Sequence, residues 1–127
     1  MAKKILIVED QIVTAMDLME LMADWGYDFA PPAVSGEEAV RRAGEEKPDL
    51  VLMDVSLAFE MSGVEAAREI CARYNIPFIF ISAYLEEDLA EKIEMPCRYI
   101  YLTKPYDLEQ LKGAIETILK VKIPPVK

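Results

Sequence analysis

Pro48-Asp49-Leu50-Val51-Leu52-Met53 is an apolar run of strand length, and it stops at the carboxylate of Asp54. From Leu50 to Met53 it does not alternate between apolar and polar residues, which is how a strand buried on both faces reads. Ile76-Pro77-Phe78-Ile79-Phe80-Ile81 ends in the same way and stops at the hydroxyl of Ser82. Outward from these two, Lys3-Lys4-Ile5-Leu6-Ile7-Val8 stops at Glu9-Asp10, and Arg98-Tyr99-Ile100-Tyr101-Leu102 is followed by Thr103-Lys104-Pro105. In a parallel sheet all of these ends lie on one edge, so three carboxylates, a hydroxyl and an ammonium converge there. Ligands of such sheets bind outside the carboxyl ends of the strands. The grouping suits a divalent cation and a phosphoryl group.

Segments of helical periodicity separate the strands, the alternation expected of an α/β fold with helices on both faces of a parallel sheet. The spacing predicts a first helix from about Gln11 to Trp25, with Ile12, Met16, Met19 and Met22 inward and Gly26 as its stop. A short strand follows around Tyr27 to Ala30, and Pro31-Pro32 assigns it to an edge of the sheet. Ser35-Gly36-Glu37-Glu38 reads as a capping box opening a second helix, with Ala39, Val40 and Ala43 inward. Ser62-Gly63-Val64-Glu65 repeats that signature for a third helix, with Val64, Ala67, Ile70 and Cys71 inward. A fourth helix, about Glu86 to Glu94, stops at Pro96, and Asp107 caps a fifth whose stripe is Leu108, Leu111, Ile115, Ile118 and Leu119.

At 127 residues and 53% hydrophobic content, one domain with a real core is expected. We place it at residues 1–121, with 122–127 as a tail or linker stub. The net charge of −9, from 23 acids against 14 bases, argues against direct nucleic-acid binding, which needs a basic stripe to displace counterions. No apolar run is long enough for a membrane span, and nothing at the N-terminus reads as a signal peptide. Cys71 and Cys97 have no metal-ligand spacing, and Cys71 on an apolar helix face reads as a buried free thiol, in keeping with a reducing, cytoplasmic setting. With no histidine in the chain, a phosphoryl donor must come from outside.

A cluster such as Glu9, Asp10 and Asp54 is costly without a cation, because like charges raise one another's pKa. It implies a divalent ion or the ammonium of Lys104. Magnesium is favoured, since it takes oxygen ligands from one or two carboxylates and from phosphate. A carboxylate can also attack phosphorus as a nucleophile. Neutralising the developing charge is then most of the catalysis, and a metal and a lysine supply it.

These stretches resemble the receiver domain of two-component response regulators. The resemblance runs from Lys4 to about Lys120 and rests on Val8-Glu9-Asp10, Asp49 to Asp54, Gly63-Val64-Glu65-Ala66-Ala67, Ser82-Ala83-Tyr84 and Tyr101-Leu102-Thr103-Lys104-Pro105-Tyr106. It implies a single doubly wound (βα)5 domain of flavodoxin-like fold, its five parallel strands in the order 2-1-3-4-5. It implies that Asp54 is the phosphoacceptor, that Asp10 binds magnesium (or manganese) directly and Glu9 through water, and that the backbone carbonyl of Ser56 completes the protein ligands. Lys104 would pair with Asp54 and then with the phosphoryl oxygens, next to a cis peptide bond at Pro105. Ser82 and Tyr101 would form the switch. The implied partners are a sensor histidine kinase or phosphotransfer protein, docking near Gln11, Thr14 and Asp17, and a downstream protein target or further domain. A homodimer through the fourth helix, last strand and fifth helix is a further implication. Such a module is not an enzyme acting on a separate substrate. It catalyses only its own phosphorylation and dephosphorylation.

The chain departs from the family pattern in three places. The loop Val55 to Gly63 is one residue longer than the commonest form and lacks its proline and aspartate. Met95-Pro96-Cys97-Arg98 stands where glycine is usual. Tyr84, two residues beyond Ser82, is bulky where the family tunes access of water to the phosphoryl group. The rival reading is a receiver-like interaction module that works without phosphorylation. The altered loop supports it, and the set Glu9, Asp10, Asp54, Ser82 and Lys104 argues against it.

Overall fold

A computed structural model describes residues 2–54, 63–82 and 96–120. The elements run β1 (Lys4–Val8), α1 (Ile12–Asp24), β2 (Asp28–Phe29), α2 (Gly36–Glu46), β3 (Leu50–Asp54), α3 (Gly63–Tyr74), β4 (Phe78–Ser82), β5 (Tyr99–Thr103) and α4 (Leu108–Leu119). Here α4 is the fifth of the helices expected from the sequence. The fourth, at about Glu86 to Glu94, lies outside the described residues, as do Ser56, Phe59, Ser62, Tyr84, Met95 and the tail.

The five strands form one parallel sheet in the order β2-β1-β3-β4-β5. Because side chains alternate along a strand, each central strand divides its residues between two cores. Leu6, Val8, Val51, Met53, Phe78 and Phe80 face a cluster with Ala39, Ala43, Val64, Ala67, Ile70 and Cys71 from α2 and α3. Ile5, Ile7, Leu50, Leu52, Ile79 and Ile81 face a second cluster with Ala15, Leu18 and Met22 of α1 and Leu111, Ala114, Ile115 and Ile118 of α4. Burial on both faces is why these strands carry no polar alternation.

The sheet's outer strand is shaped by its prolines. β2 pairs with β1 only at Asp28 and Phe29, and Pro31-Pro32 then interrupts the ladder, having no N–H to donate. Pairing resumes at Ala33, whose amide donates to Ile7 O at 2.9 Å and whose carbonyl accepts from Glu9 N at 2.9 Å.

One helix start behaves as its sequence predicts and another does so only in part. Ser35 Oγ accepts from Glu38 N at 3.1 Å, while the Glu38 carboxylate turns to Arg41 and Arg42 rather than completing the reciprocal bond. Asp107 and Gln110 form a full capping box, each side chain accepting the other's backbone N–H at 2.7 and 3.0 Å. Asp107→Ala is therefore expected to destabilise the fold by about 1 kcal/mol, seen in urea as a lower midpoint with unchanged slope.

Three expectations from the sequence are corrected. The inward face of α1 is Ala15, Leu18 and Met22, with Met19 half-buried, whereas Ile12 and Met16 are 55% and 57% exposed and Val13 is 69% exposed. The first turn of α1 lies at the carboxyl edge of the sheet, and among the described residues nothing covers it. Leu108 is exposed for the same reason, at the first turn of α4. The third correction is Cys71, which is not a free thiol but is joined to Cys97 in a disulfide. Their Cα atoms are 6.0 Å apart, within the usual range for such a bridge. The bond spans 26 residues, so only the packing of α3 against the approach to β5 could reveal it.

Candidate functional site

The register of the sheet gathers the strand ends. Val8 pairs with Met53, Asp54 with Ile81 and Ser82 with Thr103, so Glu9, Asp10, Asp54, Ser82 and Lys104 fall within a residue or two of one edge. Glu9 and Asp54 are nearly closed off, 5% and 6% exposed, Ser82 is fully buried, and Asp10 is partly open. Tyr101 is half-buried against the α2–α3 side of the core. Carboxylate oxygens of Glu9, Asp10 and Asp54 all lie within 4.8 Å of one another.

Lys104 reaches this cluster from β5, its Nζ 3.7 Å from Asp54 Oδ2. Two backbone features aim it. Its amide donates to Ser82 O at 2.7 Å, which extends the β4–β5 ladder one step beyond the strands. The Lys104–Pro105 peptide bond is cis, so the chain turns sharply immediately after the lysine.

The electrostatics follow from crowding. Burial is the largest influence on Glu9, and a hydrogen bond and charge repulsion from Asp54 add to it. The Gln11 amide, which donates to Glu9 Oε1 at 3.3 Å, and the Lys104 ammonium pull the other way. The outcome is a carboxyl raised from 4.5 to about 7. This is the behaviour of a carboxyl shut away from water and set beside another, with too little positive charge nearby to offset both effects.

Tyr106, which the sequence left without a role, belongs here, and so does Thr14, which was expected to face outward at the docking surface. Thr14 and Tyr106 line a cavity of about 20 Å³ together with Glu9, Asp54 and Lys104. That is room for a single water. Lining one cavity with Glu9 and Asp54, the Tyr106 phenol is pushed up by burial first and then by the charges of those two carboxylates. Its signal in the sequence is slight: it stands two residues past Lys104, and nothing in its residue type marks it. Of the residues expected to face a docking partner, Gln11 and Asp17 are exposed and Thr14 is half-buried. The carbonyl of Ser56, expected among the ligands, lies outside the described residues. No helix among the described residues is long and apolar enough to cross a membrane.

Comparison with known proteins gives the arrangement a setting. The chain is 37% identical over 114 residues to the transcriptional regulatory protein PdtaR of Mycobacterium tuberculosis, covering 90% of this chain and 55% of that protein. It is 36% identical over 120 residues to the phyllosphere-induced regulator PhyR of Methylorubrum extorquens, covering 94% of this chain and 44% of that protein. The chain thus spans about half the length of these curated relatives. Among solved structures, the signal receiver domain of a modulated diguanylate cyclase from Desulfovibrio desulfuricans G20 superposes with a TM-score of 0.83 at 32% identity, covering 94% of this chain and 95% of that one. The family described as response regulator receiver domain matches residues 5–116. That stretch runs from β1 into α4 and contains the whole sheet edge, so the chain belongs to the response regulator receiver family, whose members are in general non-enzymatic signalling domains that bind magnesium.

Proposed function

We propose that this receiver is a phosphorylation-dependent switch, in which Asp54 takes a phosphoryl group from a sensor histidine kinase or phosphotransfer protein in a magnesium-dependent reaction. The observation that carries the reading is a buried carboxylate, Asp54, facing an ammonium at 3.7 Å inside a cluster of three acids.

The donor set fits a hard divalent cation: it is all oxygen, three carboxylates within 4.8 Å, and partly open at Asp10. Asp10 and Asp54 would hold the ion directly, Glu9 through a water, and the Ser56 carbonyl would complete the set, with manganese as an alternative to magnesium. When bound, the metal supplies positive charge to the phosphoryl oxygens. The chain's own residues do the rest. An Asp54 carboxylate oxygen attacks phosphorus, the P–N bond to the donor histidine breaks, and the imidazole leaves with the bonding electrons. Lys104 moves from Asp54 toward the phosphoryl oxygens and offsets their charge. Ser82, at the end of β4, donates to the phosphoryl group, and Tyr101 turns inward. A phosphoryl group adds about −1.5 to −2 charge, enough to bias a two-state surface.

On this reading the kinase docks across the site rim, and the exposed apolar first turn of α1, Ile12, Val13 and Met16, supports an apolar contact there beside Gln11 and Asp17. The output face, and a homodimer if one forms, would use the fourth expected helix, β5 and α4. The protein would work in the cytoplasm, where such kinases act, with no direct contact to nucleic acid or membrane.

Intact mass after incubation with acetyl phosphate tests the proposal. The expected result is one phosphoryl group per chain that requires magnesium. No adduct, together with no binding of beryllofluoride, would overturn it.

The raised Glu9 carboxyl adds a pH dependence. Between about 4.5 and 7 the folded chain holds a Glu9 proton that the unfolded chain has lost. Metal-free stability from this group therefore falls as pH rises through that window. A cation competes with that proton, so the magnesium-induced rise in Tm should be small near the low end, grow across the window and level off above it. Thermal melts with and without magnesium over this range check it. A pH-independent magnesium shift would place the ion elsewhere.

A further inference from the structure

We propose that Cys71 and Cys97 are a reversible thiol–disulfide site, closed by a low-molecular-weight disulfide, that clamps the start of β5 onto α3. The pair joins the last turns of α3 to the residue two places before β5. Both sulfurs lie in the core cluster under α2 and α3. That cluster and the one on the opposite face are filled by apolar side chains, so the fold does not rely on a covalent staple as a much smaller domain would.

Three features suit the site to exchange rather than to permanent bracing. Cys97 lines an open cleft of about 340 Å³ with Arg98, Tyr99, Ile100, Thr117 and Ile118, a path for a small disulfide. Arg98, the next residue, also lines that cleft, a cation suited to an anionic small disulfide such as oxidised glutathione. Cys97 Sγ is also 3.3 Å from Asn75 Oδ1, so the reduced thiol has an acceptor waiting and neither redox state leaves it without a partner.

The exchange runs in two displacements. The Cys97 thiolate attacks one sulfur of RSSR, forming Cys97–S–S–R and releasing one RS⁻. The Cys71 thiolate then attacks the Cys97 sulfur, forming the internal disulfide and releasing the second RS⁻. The two protons lost by the cysteines end on two RSH, and the protein gives up two electrons to the small disulfide. An excess of thiol reverses both steps.

The consequence lies in β5. Cys97, Tyr99 and Tyr101 all pack on the α2–α3 cluster, and the Tyr99 ring meets Phe80 edge-on with centroids 5.5 Å apart. Closing the bond fixes the first residues of the strand that carries Tyr101. Calling that an input to the switch rests on the reading above. The clamp itself does not.

The test uses the full chain with no phosphoryl donor, so its outcome is separate from that of Asp54 chemistry. Reduced protein is incubated with oxidised glutathione, quenched with iodoacetamide and weighed without reductant. The expected product is lighter by two hydrogen atoms and takes no alkylation, and dithiothreitol under native conditions restores two alkylatable thiols. Amide hydrogen exchange in β5 should be several-fold slower in the closed form, with β1 changing much less. A glutathione adduct that never closes, a bond that native reductant cannot open, or exchange that slows equally in β1 and β5 would each overturn the proposal.

Discussion

Asp54→Ala is expected to abolish the magnesium-dependent phosphoryl adduct outright. Asp54 ends β3, is nearly closed off from solvent, and has Lys104 Nζ at 3.7 Å. Asp10 and Glu9 cannot replace it. Both follow β1 rather than end β3, and Glu9 holds its proton up to about 7, so it is a poor nucleophile over the acid range. The same substitution has a second, opposite consequence. Asp54 raises Glu9 both by repulsion and through the hydrogen bond between the two carboxyls, so removing it lowers the Glu9 value. The metal-free variant should therefore lose part of the stability decline that the parent shows between about 4.5 and 7. Intact mass reads the first effect and urea denaturation at several pH values the second. An adduct on the variant would move the acceptor to another side chain. A variant whose stability falls with pH as steeply as the parent's would leave Glu9 governed by burial alone.

The site was legible because its residues stand at the ends of recognisable strands. Period and run length located β1, β3, β4 and β5, and the parallel arrangement then placed Glu9, Asp10, Asp54, Ser82 and Lys104 on one edge with no knowledge of the packing. What escaped depended on packing. Ile12 and Met16 have helical spacing with Met19, but the stripe that reaches the sheet is Ala15, Leu18 and Met22, one position round the helix. Small Ala15 lies against the sheet while the larger side chains of the first turn overhang its edge. Periodicity gives a helix its stripe without saying where the sheet beneath it ends. Tyr106, and the inward placement of Thr14, escaped for a related reason. Neither type is distinctive, and both enter the cavity through backbone turns, one at the cis-proline and one in the opening turn of α1. The Cys71–Cys97 bond needs the lateral placement of α3 relative to β5, which no local pattern encodes.

Phe80→Ala is expected to cost about 3–5 kcal/mol, the usual range for truncating a fully buried phenylalanine. Phe80 has no exposed surface, stacks on Phe78 with centroids 5.5 Å apart and planes within 3°, and receives the edge of Tyr99. Truncation leaves a void bounded by β3, β5 and α3, which sheet geometry prevents from collapsing. Set against the roughly 5–15 kcal/mol that holds a domain folded, this is a large share, visible as a fall in Tm on the order of 10 °C or more. Met16→Ala removes a side chain of comparable apolar character from α1, yet should change stability by no more than about 0.5 kcal/mol because the residue is mostly in solvent. The pair separates the two readings of α1. If Met16→Ala proved as damaging as a core truncation, α1 would have to be rotated to bring Ile12 and Met16 inward. If it is silent in stability but weakens phosphotransfer from a histidine-containing donor protein while leaving acetyl phosphate chemistry intact, the apolar turn is a docking contact. Phe80 should show the reverse signature, since Ser82 lies two residues further along the same face of β4: a loosened strand disturbs stability and the switch end together, whichever donor is used.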